Sequence, residues 1–358
     1  MTRLNKVLNV MTKELVDGVV LKDENTIRYV TGFSGDSSLL YIDRNQAVLI
    51  TDGRYTEQAR LEMPKMFKVL EYKPVDSKSI WRTAVELATA GQVNVLGFDG
   101  GWFSFNDYSV LKELAGDLPL QSLDLSDIRM VKDAQELELL QIAAKISDEA
   151  FMKLLGDIQP GVTEMELAAR LEYYMRQLGS EKVSFDTIVA SGVRGALPHG
   201  MASMKKVEMG ELITFDFGAV YKGYHADITR TVMLGMANSW QREIYSLVES
   251  AQLRGLKAAK VGMTGKELDE IVRQVIVDCG YGDNFIHGLG HGVGLEIHEM
   301  PNINKRGATV LEKGMVFSIE PGIYIPGKGG VRIEDSVVLT DEGAKPLNTV
   351  KKQLIEIV

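Results

Sequence analysis

Gly161-Val162-Thr163-Glu164-Met165-Glu166-Leu167 and Gly262-Met263-Thr264-Gly265-Lys266-Glu267-Leu268 are two copies of one pattern, Gly-x-Thr-x-x-Glu-Leu. In each copy the Thr suits a helix N-cap, and a Gly at the same later distance, Gly179 or Gly280, suits the residue that closes the helix. Each copy is preceded by a longer helical pattern, Ala134–Leu155 and Trp240–Lys260, and followed after a loop by two strand-like runs. The last two thirds of the chain therefore read as one unit of two helices and a β-hairpin, used twice. A tandem array needs about three repeats to cover its faces, so two copies predict a closed pseudo-twofold domain.

The hairpins carry carboxylates. In the first copy, Leu212–Val220 and Tyr224–Leu234 flank Lys222-Gly223. With that pair as the loop, Asp227 faces Gly218, two positions from Asp216. Side chains two apart share a face, which makes Asp216 and Asp227 diagonal neighbours with backbones ~7–8 Å apart. In the second copy, Met315–Ile325 and Val331–Leu339 flank a Gly-rich loop. Centring that loop on Gly327 sets Glu320 opposite Glu334, provided no bulge shifts the register. The ordinary reading is that the four carboxylates pair with Arg230, Arg332 or surface lysines. But Asp216 lies in Ile-Thr-Phe-Asp-Phe-Gly and Glu320 in Val-Phe-Ser-Ile-Glu-Pro-Gly. Both runs are apolar enough to be buried, where unpaired charge is very costly. The pattern predicts divalent metal, two ions balancing four carboxylates.

Between the two hairpins runs His287-Gly288-Leu289-Gly290-His291-Gly292-Val293-Gly294-Leu295-Glu296-Ile297-His298-Glu299, with three of the five histidines in the chain. Glycines among imidazoles let the backbone approach whatever the imidazoles hold. His291 is the expected fifth ligand. Oxygen-rich ligation with one imidazole and no thiolate favours Mn, Co or Zn.

The rest of the chain sets bounds. A length of 358 residues, 45% of them hydrophobic and 25% charged, is that of an ordinary globular protein of about two domains. A net charge of −9 argues against nucleic acid or an anionic membrane as partner. The single cysteine, Cys279, excludes an internal disulfide and fits a reducing compartment. No stretch reaches the ~18 apolar residues of a membrane span. A cytoplasmic location is expected.

Residues 1–128 alternate strand runs (Gly18–Leu21, Ile27–Thr31, Leu39–Ile42, Ala47–Thr51, Val93–Phe98) with helical patterns (Tyr55–Met63, Ile80–Ala90, Ser104–Ala115). This predicts an α/β domain. Thr51-Asp52-Gly53-Arg54-Tyr55 reads as a strand-end turn leading into a helix cap. Ser122 to Asp133 is a polar connector, after which Asp133 and Glu136 form a capping-box pair. The expected domains are 1–128 and 129–358.

Taken together, Phe-Asp-Phe-Gly…Asp, His-Gly-x-Gly-His-Gly-x-Gly, Glu-Pro-Gly and Arg-Ile-Glu-Asp resemble the pita-bread metallopeptidases from Ala134 to the C-terminus. The first third is similar, by a weaker match, to the creatinase-type N-terminal domain, which points to the Xaa-Pro branch. The resemblance implies an α+β protein, with a creatinase-like α/β domain before a pseudo-twofold pita-bread catalytic domain. It implies a dinuclear site of Asp216, Asp227, His291, Glu320 and Glu334. Asp227 and Glu334 would bridge the two ions, Mn foremost, with Co or Zn as alternatives. Glu320 would also handle the proton of the nucleophilic water. His199 and His298 match imidazoles that contact the substrate or transition state, and Arg332 matches a basic residue near the site. His287 and Tyr221 would support from behind.

The implied enzyme is a metal-dependent exopeptidase. Two metals ~3.5–4 Å apart share a water and make it a hydroxide near neutral pH, which attacks the carbonyl before proline. Small peptides with proline second are the expected substrates, and a homodimer the expected assembly. A dipeptidase is preferred on chain size, with Arg332 as the candidate contact for the substrate carboxylate. The alternatives are an Xaa-Pro aminopeptidase acting on longer peptides, a metal-free C–N hydrolase, and a non-catalytic pita-bread module. The last two predict loss of the ligand set, which is intact here.

Overall fold

Thr163 and Thr264 each accept a hydrogen bond from the backbone of the Glu three residues on, Glu166 and Glu267, and both Glu side chains return it. These capping boxes open the helices Glu164–Gln177 and Gly265–Asp278. Gly179 and Gly280 follow them with φ of 105° and 82°, the left-handed backbone that glycine adopts without penalty. Asp133 and Glu136 build the same box at the start of Ala134–Leu154. The computed structural model describes residues 2–358. The chain divides into two compact units, Met1–Ile128 and Arg129–Val358.

In the second unit each helix pair packs on its own sheet, giving two cores. Helices Ala134–Leu154 and Glu164–Gln177 bury Phe151, Leu167 and Leu171 against Phe215, Phe217 and Val232. Helices Ser239–Ala258 and Gly265–Asp278 bury Ile244, Val248, Leu268 and Val272 against Phe317, Ile319 and Val337. Burying each such side chain fully contributes about 1.5–3 kcal/mol. The first half's sheet runs Glu356–Ile357, Ile228–Leu234, Leu212–Phe217, Ile188–Ser191. The second half's runs Glu299–Ile303, Gly290–Gly292, Val316–Ile319, Asp335–Thr340, Gly343–Pro346.

Both hairpin registers are the expected ones. Thr229 pairs with Asp216 and Tyr224 with Tyr221. Ile319 pairs with Asp335 and Gly322 with Arg332, leaving Glu320 opposite Glu334. Each long strand is nevertheless interrupted. Leu212–Phe217 stops before Ala219–Tyr221, Tyr224–His225 before Ile228–Leu234, Val316–Ile319 before Gly322–Ile325, and Gly329–Arg332 before Asp335–Thr340. Asp227, Glu320 and Glu334 all fall in the gaps. The two halves join beside these gaps: Glu334 N donates to Thr229 O at 3.1 Å and Thr231 Oγ1 to Arg332 O at 3.0 Å.

The first unit is a mixed six-stranded sheet in the order Lys68–Glu71, Ala47–Thr51, Leu39–Asp43, Gly18–Leu21, Leu96–Asp99, Leu120–Leu123. Ile27–Thr31 belongs to a helix, Glu24–Thr31, and not to a strand. Asp23 accepts from Asn25 N and Thr26 N, and Gly32 ends the helix at φ 79°. These terminal signals outweigh the strand preference of Ile27, Val30 and Thr31. The Asp52 turn does not cap its helix: Asp52 Oδ1 accepts from Arg54 N and Nε, and Thr56–Glu62 starts without a side-chain cap. Helix Arg3–Lys13 and the two edge strands lie where the sequence pattern predicts nothing. Lys68–Glu71 is largely exposed, Leu120–Leu123 is mostly half-buried, and neither carries a continuous apolar run. Among the described residues no helix is long and apolar enough to cross a membrane.

Candidate metal centre

Where the two half-sheets meet, a cavity of 480 Å³ opens in the second unit. His199, Asp216, Asp227, His291, His298, Glu320, Arg332 and Glu334 all line it. The carboxylates reach it because each sits at a break in a strand or on the face beside one. His291 reaches it on Gly290–Gly292, a strand that pairs with both Glu299–Ile303 and Val316–Ile319. A Cβ at position 290 would lie 2.0 Å from Ser318 O, so glycine is what lets this strand approach.

Ligand atoms of Asp227, His291 and Glu334 lie within 4.8 Å of one another. His291 Nε2 is 3.5 Å from Asp227 Oδ2 and 3.4 Å from Glu320 Oε1. His291 Nδ1 contacts Gly292 O at 3.1 Å. A carbonyl only accepts, so Nδ1 carries the proton and the Nε2 lone pair faces the carboxylates. Thr229 Oγ1 donates to Glu334 Oε2 at 2.7 Å, and Ser318 Oγ to Glu320 Oε1 at 3.0 Å. Arg332 Nη2 donates to Asp216 Oδ2 at 2.6 Å.

The charges do not balance. Arg230, a possible partner in the sequence, is buried with Asp335 at 2.7 Å and leaves the cavity carboxylates alone. Among the described residues, Arg332 is the one Lys or Arg lining the cavity. Asp216 Oδ1 and Glu334 Oε1 are buried without a hydrogen-bond partner, a costly state for carboxylate oxygens. Burial, then Glu334, Asp216 and Glu320, hold Asp227 well above its ordinary value of 3.8. Burial, then Glu320 and Asp216, raise Glu334 likewise, and burial raises Glu320. Burial also pushes His291 below 6.5, toward the neutral ligand form. The His/Asp/Glu cluster is able to hold a metal ion. Its orphaned oxygens and aimed imidazole fit that role.

Residues 138–341 match metallopeptidase family M24, and residues 3–131 match the creatinase/prolidase N-terminal domain. The chain belongs to metallopeptidase family M24. It is 42% identical to an Xaa-Pro dipeptidase of Pyrococcus furiosus, over 99% of both chains. The structure of an Xaa-Pro dipeptidase from Bacillus anthracis superposes with a TM-score of 0.95 at 40% identity, covering 99% of both chains. That of an X-Pro aminopeptidase from Thermotoga maritima gives 0.90 at 40% identity, covering 97% of this chain and 99% of the other.

In this M24 peptidase the cavity floor and rim differ. Asp227, Glu334 and Arg332 are buried, whereas His199 and His298 are exposed to the cavity opening. His298 stands edge-on to His291, ring centres 4.3 Å apart. The residue after it, Glu299, is held by Lys132 Nζ at 2.6 Å, a lysine whose side chain is 1% exposed.

Arg332 is not free to reach outward. Nε donates to Thr229 Oγ1 at 3.1 Å, and Nη1 to Tyr324 OH at 2.8 Å and Pro198 O at 3.2 Å, besides the bond to Asp216. Tyr324 OH in turn meets His287 Nε2 at 2.8 Å, while His287 Nδ1 contacts Gly288 O at 2.7 Å. The carbonyl again places the His287 proton on Nδ1, so Tyr324 donates to Nε2. His287 thus lines the cavity, and Tyr324, not Tyr221, accompanies it. Thr229, Ser318 and Tyr324 were not singled out in the sequence. Each lies two or four positions from Asp227 or Glu320, a same-face spacing that could have found them.

Proposed function

We propose that this protein is a metal-dependent Xaa-Pro dipeptidase. Asp216, Asp227, His291, Glu320 and Glu334 would hold two divalent ions, Mn foremost, with Asp227 and Glu334 shared between them. The observation that carries this reading is the surplus of buried carboxylate over cation, with the unpartnered oxygens of Asp216 and Glu334. When bound, the ions supply Lewis-acid polarisation of the substrate carbonyl and a water acidified into the neutral range.

The chain's own groups do the rest. Glu320, its carboxyl raised by burial, takes up the proton of the attacking water and delivers it to the prolyl nitrogen, which cannot leave unprotonated. His298, pushed by burial toward its neutral form, and His199 present ring N–H donors to the oxygen that gains charge. Arg332 orients Asp216 and, through Tyr324, His287. The cavity's 480 Å³ is within the range of small-ligand sites and suits a short peptide. The single cysteine and acidic charge support a cytoplasmic enzyme without nucleic-acid partners. A homodimer remains the assembly that the resemblance implies.

A second reading, an Xaa-Pro aminopeptidase, is favoured by one observation. Arg332, the cation that would recognise a dipeptide's carboxylate, is engaged by four protein acceptors. Cleavage rates for Ala-Pro, Ala-Pro-Ala and Ala-Pro amide decide between them. A dipeptidase prefers Ala-Pro, and faster cleavage of the tripeptide and the amide makes the enzyme an aminopeptidase. No cleavage of any Xaa-Pro bond by the Mn-loaded protein overturns both.

A further inference from the structure

The loop between Ser191 and Ser203 carries His199 to the cavity, yet it buries none of its large apolar side chains. Of residues 192–202 only Gly195 and Gly200 are buried, and Val193, Leu197 and Met201 are exposed. Hydrophobic burial therefore does not hold His199 in place. Arg332 Nη1 bonds the tip at Pro198 O, and Met201 forms a backbone bridge to Ile188, but the two ends of the loop are joined by one carboxylate at its neck. Glu164, fully buried at the start of its helix, accepts at Oε1 from Ser191 N and Oγ, both at 2.8 Å. At Oε2 it accepts from Ser203 N at 3.1 Å and Ser203 Oγ at 2.6 Å. The two ends of the loop thus bind the two oxygens of one side chain. Arg194 Nε joins Oε2 at 3.0 Å, and its Nη2 extends to Met201 O, bridging the loop on either side of His199. The first backbone amides of the same helix add to the hold: Glu164 N donates to Lys205 O and Met165 N to Ser203 O, both at 2.9 Å.

We propose that Glu164 is a positioning residue, which cinches the loop and holds His199 at the cavity without touching substrate. The proposal rests on the reading of the cavity as a peptidase site. A carboxylate is what the neck requires, because every group facing it is a donor. A glutamine there would turn an amide N–H₂ toward the donors of Ser191 or Ser203 and open one side of the neck.

The test uses the full chain loaded with Mn. Glu164→Gln should raise amide hydrogen exchange within residues 191–203, keep the wild-type metal content, and lower kcat on the best Xaa-Pro substrate by about 10–100-fold, the loss expected of a displaced catalytic group. In a His199→Ala background the same substitution should lower kcat by less than about threefold, since the two act through one imidazole. A merely structural role would instead give additive losses and exchange spread over the unit, and either result overturns the proposal. Ser203→Ala opens one end of the neck more gently; it should raise exchange at 199–205 and stands in if Glu164→Gln does not fold. Unchanged exchange in the folded variant also overturns the clamp. Exchange and metal content are read without substrate, so a wild type that cleaves no Xaa-Pro peptide would sink the functional reading and leave the clamp to be decided by exchange alone.

Discussion

Asp227→Asn is expected to stabilise the metal-free protein and to abolish most of the stability that metal adds. The ligand atoms of Asp227 and Glu334 lie within 4.8 Å of each other, both side chains buried. Two full charges at that spacing repel by about 3.5 kcal/mol at an effective dielectric near 20. Proton uptake by the cluster limits that penalty, and loss of the 3.5 Å contact with His291 offsets part of the gain. The net stabilisation expected is about 1–3 kcal/mol, a rise of about 2–12 °C in Tm for a unit of this size. With Mn at 100 times the wild-type Kd, wild type gains about 2.7 kcal/mol; a variant binding 100-fold more weakly gains about 0.4 kcal/mol. The pH sign follows from the raised carboxyls of Asp227 and Glu334. The folded state binds their protons more tightly than the unfolded state, so their contribution is intact below about pH 4 and is lost as pH rises through the folded values. The gap between variant and wild type should therefore open from pH 4 toward neutrality. Calorimetric scans of chelated and Mn-loaded protein across that range provide the assay. A chelated variant that melts at or below chelated wild type at pH 7 would refute the reasoning, as would a gap that widens toward pH 4.

Chelation should remove peptidase activity and Mn or Co should restore it; full activity in demetallated protein contradicts the metal assignment. His199→Ala and His298→Ala should each keep the wild-type metal content, measured by elemental analysis, and lose about 10²–10³ in kcat. Metal loss in either would make that imidazole a ligand. Arg332→Lys keeps a charge but not the fork that reaches Asp216, Thr229 and Tyr324. It should lower kcat while leaving the rate ratio of Ala-Pro to Ala-Pro amide unchanged. A collapse of that ratio would show that Arg332 reads the substrate carboxylate.

Much of the catalytic half was legible because its signals are local. A helix cap needs only the residues three apart that form it, as at Thr163 and Glu166 or Thr264 and Glu267. Hairpin register follows from loop length, and so the opposition of Glu320 and Glu334 could be read before any contact was known. Local preference failed at Ile27–Thr31, where strand-forming side chains lie between strong helix caps. The tertiary structure alone decided which cation meets which carboxylate. Arg230 and Arg332 are two basic residues near one site, but only packing sends the first to Asp335 and the second to Asp216. It alone chose Tyr324 as the partner of His287 and drew Ser191 and Ser203 onto Glu164. Such pairings join residues far apart in sequence; those of Arg230 and Arg332 depend on how the two half-sheets meet, and those of His287 and Glu164 on how loops fold back within one half, geometries that no spacing along the chain encodes.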